Sequence, residues 1–83
     1  MTMTLDSLPL GRRARITGVD WSLLVEDEAQ RLRALGIDVG TRISVAHRGV
    51  FAGADPLAVT VGRMTVALRR SHARAMQVEE LSA

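Results

Sequence analysis

The chain has 83 residues, 47% of them hydrophobic, and no cysteine, so one domain is expected and disulfides, zinc–thiolate sites, iron–sulfur clusters and thiol nucleophiles are excluded. Its eleven basic residues are all arginine, set against nine acids for a net charge of +2 at pH 7. The pI near 11.0 therefore reports only that almost nothing titrates between neutrality and arginine, and the near balance argues weakly for nucleic acid.

No apolar run approaches the roughly 18 residues needed to span a bilayer. Met1 to Leu10 lacks a basic start followed by an apolar stretch, so it does not read as a signal peptide. A cytoplasmic soluble protein is the expectation.

In chain order, Leu5 to Gly11 is an opening segment punctuated by Pro9 and Gly11, with Leu8 and Leu10 placed to cover one end of a core. Arg13 to Val19 alternates, with Ala14, Ile16 and Gly18 on one face, and reads as the first strand. Gly18 within it marks a bend or a close backbone approach. Asp20 to Val25 is too apolar for an ordinary loop. The acidic run Glu26-Asp27-Glu28 then suits the positive end of a helix dipole, and Asp27 with Gln30 has capping-box character. The helix is expected over about Glu28 to Leu35. Leu32 and Leu35 share its inner face, Arg31 and Arg33 point away, and Gly36 ends it.

Thr41 to Arg48 is the second strand, with Ile43, Val45 and His47 on one face. Gly49 to Pro56 reads as a hairpin loop and Leu57 to Val61 as the third strand. Gly62-Arg63 is a two-residue link of type II′ character into a fourth strand, Met64 to Leu68. Ser71 to Ala75 suits one helical turn capped by Ser71, and Met76 to Glu79 a last short strand. If the first and last strands pair, Arg13 and Arg15 approach Glu79 and Glu80 and neutralise much of the apparent basic patch. The fold class expected is mainly β with one short helix: a small, partly open barrel of about five strands.

This order resembles the FeoA family of small SH3-like proteins in bacterial ferrous iron transport. The resemblance rests on Leu5-Asp6-Ser7-Leu8-Pro9-Leu10-Gly11, the run from Arg31 to Gly40, Asp55-Pro56-Leu57, Ala67-Leu68-Arg69 and the closing stretch Ala73 to Val78. It spans about residues 5–79, and the Asp20 to Val25 segment departs from it in being more apolar. It implies a cytoplasmic binding protein, peripheral to the inner membrane through its partner. That partner would be the membrane ferrous transporter FeoB, which carries a cytoplasmic GTPase domain, and the contact would tune uptake. The same module occurs at the C-terminus of metal-dependent repressors; with no DNA-binding helix pair ahead of it, the repressor reading is not expected here.

Catalytic residues and cofactors are not expected. No serine sits in a Gly-x-Ser-x-Gly setting, no carboxylates pair across an evident cleft, and the absence of lysine excludes a P-loop. Metal ligands are not expected either: His47 and His72 are the only histidines, one on a strand and one in a terminal turn. Arg12, Arg13, Arg15, Arg69, Arg70 and Arg74 could form one basic face, which keeps an SH3-like RNA- or ribosome-associated module as the alternative. Stacking aromatics are nearly lacking, with Trp21 and Phe51 alone. The candidate partner surface is Trp21, Leu23, Leu24, Arg31, Leu32 and Arg33, because Trp and Arg are enriched at interface hot spots. The same apolar residues could instead complete a core short of aromatics. An unpaired strand edge or the Trp21 region could also support a weak homodimer.

Overall fold

The computed structural model describes residues 2–48 and 56–81. Six strands form one antiparallel sheet: β1 (Thr2–Thr4), β2 (Arg13–Val19), β3 (Arg42–Arg48), β4 (Leu57–Val61), β5 (Met64–Leu68) and β6 (Met76–Glu80). Their spatial order is β1-β6-β2-β3-β4-β5, so the sheet stays open between β1 and β5. Two helices interrupt it, α1 (Glu26–Ala34) and the single turn α2 (Arg70–Ala73), with 3-10 turns at Leu5–Ser7 and Trp21–Leu23.

The alternating strands put one face inward. Ala14 and Ile16 of β2, Ile43 and Val45 of β3, Leu57 and Val59 of β4, Val66 and Leu68 of β5, and Met76 and Val78 of β6 are all buried. Leu5 and Leu8 close one end of this core. Leu10, expected to help, is 54% exposed. The first and last long strands do pair: Arg15 lies opposite Glu79 and Ile16 opposite Val78. The strand count rises to six because β1 adds to the outer side of β6, Thr2 opposite Glu79.

Two bulges steer the sheet. In β2 the register shifts between Ile16 and Gly18, the bend that a strand glycine suggests, while a Cβ on Gly18 would make only an ordinary contact, 3.4 Å from Gln77 Oε1. In β3 it shifts between Val45 and His47. The extra residue reverses the alternation, so His47 is exposed instead of sharing the face of Ile43 and Val45.

Helix α1 begins at Glu26 with Val25 as its N-cap and no side-chain cap, so Asp27 serves in the first turn and not in a capping box. The acidic start and the Arg31 and Arg33 finish both suit the helix dipole. Ala29 and Leu32 face the core. The helix ends in a Schellman motif, with Gly36 at φ +88°, Gly36 N–H donating to Arg33 O and Ile37 N–H to Leu32 O. The Thr41 hydroxyl donates to Gly36 O and accepts from Asp38 N–H, clipping the turn that leads into β3. Gly62 takes φ +61° between β4 and β5, as its link requires. α2 starts one residue earlier than expected, with Arg69 and not Ser71 at the N-cap position. The hairpin loop expected over Gly49 to Pro56 lies, apart from Pro56, outside the described residues.

Candidate partner surfaces

The Asp20 to Val25 segment neither folds wholly inward nor stays wholly outside. Asp20 N–H donates to Ala75 O, and the Asp20 carboxylate accepts from Ser22 N–H, fixing a 3-10 turn between β2 and α1. That turn buries Leu24, packs Trp21 partly against the core, and leaves Leu23 and Val25 62% and 71% exposed. On the neighbouring helix the Arg33 guanidinium carbon stacks 4.2 Å from the Trp21 ring centroid. Such a stack contributes about 0.5–1 kcal/mol at an exposed site.

The six residues singled out in the sequence therefore separate. Trp21, Leu23 and Arg33 reach the surface near the 3-10 turn. Leu24 and Leu32 are core residues, at 8% and 0% exposure, and offer nothing directly to a partner. Leu24 turns inward as the chain leaves the 3-10 turn, and Leu32 lies with Ala29 on the inner face of the helix. Leu23 lines a shallow groove with Val19, Asp20, Arg74 and Gln77.

Arg31 looks elsewhere. Its guanidinium clasps Glu28 one turn back, with Nη2 2.6 Å from Oε1. That hydrogen bond holds the Glu28 carboxyl below its ordinary pKa, helped by the charges of Arg31, His72 and Arg69, and raises Arg31 in turn. His72 Nδ1 lies 3.6 Å from the same Glu28 oxygen. With Pro56, Ala67 and Arg69 these residues line an open cleft of about 410 Å³ between α1, α2 and the end of β5.

No single stretch of the sequence marks this cleft. The Glu28–Arg31 pair is legible from its three-residue spacing. The approach of His72 and Arg69 is not, because it depends on how α2 packs. Val25 also went unselected, although the apolar run contained it.

Among the described residues no three His, Asp or Glu side chains converge in a metal-binding group. Some of the arginines are matched by acids. Arg12 pairs with Glu80 at 2.9 Å, Arg74 with Asp6 at 3.5 Å, and Arg15 sits across from Glu79. The ion pair to Glu80 comes from the Arg12 side chain, while Arg13 meets the end of β6 through its backbone, its carbonyl accepting from Leu81 N–H. No helix among the described residues is long and apolar enough to cross a membrane.

The FeoA domain model matches residues 3–80. The chain is 29% identical to the FeoA protein of Chlorobium tepidum, covering 96% of this chain and 71% of that one, with a TM-score of 0.83. It is 38% identical to Stenotrophomonas maltophilia FeoA in a zinc complex, covering 93% and 89%, with a TM-score of 0.75. That protein is described as a prokaryotic SH3 domain protein and a candidate ferrous iron transport activating factor. A manganese-dependent transcriptional repressor shares the fold over 42% of its length, at 22% identity and a TM-score of 0.80. No curated protein sequence matches the chain.

Proposed function

Because this chain belongs to the FeoA domain family, whose members are SH3-like proteins associated with ferrous iron transport, we propose that it is a cytoplasmic accessory of ferrous iron uptake. It acts by docking on the cytoplasmic side of a FeoB-type transporter, as a binding protein and not as an enzyme. The family match over residues 3–80 carries this reading. The surface around the 3-10 turn supports it. There, Trp21 and Leu23 lie on a turn held by backbone and Asp20 hydrogen bonds, with exposed Val25 following it and Arg33 of α1 stacked on Trp21. Large apolar side chains presented on a rigid element suit a contact whose ordering cost is low.

Arg31 is assigned a different part. Its bond to Glu28 shapes the neighbouring cleft, while Leu24 and Leu32 hold the docking turn and helix against the core.

The test is a binding titration of the full chain against the cytoplasmic region of the FeoB transporter from the same genome, with and without guanine nucleotide. A fluorophore on the partner avoids interference from its own tryptophans. Saturable binding weakened at least tenfold by Leu23→Asp or Arg33→Glu, both at exposed positions, is the expected result. Absence of binding by the folded protein in both nucleotide conditions would remove the cytoplasmic-docking reading. Salt-sensitive retention on RNA would instead favour the ribosome-associated alternative.

A further inference from the structure

The two edges of the sheet are managed differently. β1, at one side, has only three residues, and a very short strand is a poor template for further pairing. β5, at the other, has five residues with no charge, proline or glycine, and it pairs with β4 without a bulge from Leu57↔Leu68 to Val61↔Met64. Among the described residues nothing pairs with its outer side.

The two-residue link makes Val61↔Met64 a hydrogen-bonded pair, and the alternation of an antiparallel ladder then does the same for Val59↔Val66 and Leu57↔Leu68. The N–H and C=O groups of Thr65 and Ala67 consequently point away from the sheet. Both residues are exposed, while Val66 and Leu68 between and after them are buried. A strand this regular, left without the usual protective devices, is a built docking edge.

Charge selects the occupant. Arg63 precedes β5 and Arg69 follows it, six positions apart, and both are exposed. Neither forms an ion pair among the described residues. Arg69 keeps an extended backbone at φ −67° and ψ 145°, so the two-residue period continues through it. Ala67 and Arg69 also line the cleft with Arg31, whose charge Glu28 matches, so Arg63 and Arg69 are the cations that flank the edge. A second copy of this chain fits poorly: the two-fold register that uses both Thr65 and Ala67 sets Arg63 directly opposite Arg69 of the other copy, and like charges directly opposite destabilise a pair.

We propose that the free edge of β5 accepts an extended acidic segment of a partner protein as a seventh, antiparallel strand. Its backbone hydrogen-bonds to Thr65 and Ala67, and its carboxylates are placed against Arg63 and Arg69. This surface is separate from the Trp21 turn and does not depend on the transporter reading.

The experiment is an amide NMR titration of the full chain with the capped peptide EVTVTVE, whose terminal glutamates match the arginine spacing, and with KVTVTVK as the counterpart. The acidic peptide should shift the Thr65 and Ala67 amides and slow their hydrogen exchange, with affinity at least fivefold lower for Arg69→Glu and for the lysine peptide. Thr65→Pro removes only an outward donor, so it should keep the remaining spectrum and lose the peptide response. If Thr65→Pro alters the fold, Arg63→Glu with Arg69→Glu provides the same reading without touching the strand. No response at Thr65 and Ala67, or equal binding of both peptides, would overturn the proposal. Shifts of the same amides on concentrating the protein alone would assign the edge to a second copy and overturn it too.

Discussion

At Gly36 the backbone holds φ +88° and a Cβ would meet nothing within 4 Å, so the position is chosen by conformation and not by space. Gly36→Ala should therefore lower stability by about 1–2 kcal/mol, the left-handed penalty of an L residue, without changing the fold. Urea unfolding checks it, and a change below 0.3 kcal/mol would contradict it. The same measurement separates the apolar residues around the candidate surface. Leu32→Ala empties a fully buried site and should cost about 2–5 kcal/mol, whereas Leu23→Ala, at an exposed one, should stay within about 0.5 kcal/mol. The sequence gives both residues the same apolar character. Leu32 shares the inner face expected from its spacing to Leu35 and not the candidate surface it is also assigned to, whereas no spacing separates Leu23 from Leu24. A short 3-10 turn has no long period to read, and its rotation is set by the Asp20–Ala75 and Asp20–Ser22 bonds.

On helix α1, Glu28 and Arg31 form a clasp whose effect depends on pH. The pKa of Glu28 is lowered in the fold from an ordinary value of 4.5. Its stabilisation is thus fully present above that value and is lost as pH falls through the lower folded pKa. Both side chains are partly exposed, so the pair is worth only about 0.3–0.5 kcal/mol. Glu28→Gln should be less stable than the parent by that amount at pH 7, and the gap should narrow in acid as Glu28 becomes protonated. Thermal unfolding at pH 7 and pH 3 tests this; a gap that widens in acid would refute it. At this same scale β2, β4 and β5 were legible to the residue: β4 and β5 alternate and stop at Gly62 and Arg69, and β2 alternates through Ile16 and stops at Asp20. His47 was misassigned because the bulge before it carries no glycine, unlike the one Gly18 signals in β2. β1 stayed invisible because its three residues become a strand only by pairing with β6 at the other end of the chain.

Across the whole molecule, charge pairing weighs against the nucleic-acid role. Of the six arginines suspected of forming a basic face, Arg12 pairs with Glu80 and Arg74 with Asp6, and Arg15 lies opposite Glu79 in the strand register. With a net charge of +2, retention on nucleic acid should be weak and gone at physiological salt. The family match and the ordered turn bearing Trp21 and Leu23 favour a protein partner. The direct measurement is iron(II) uptake under iron limitation in cells deleted for this chain and complemented with the parent or with Leu23→Asp/Arg33→Glu at equal abundance. Uptake should fall on deletion, return with the parent, and stay low with the double variant. Uptake unchanged by the deletion would contradict a role in ferrous iron transport for this chain.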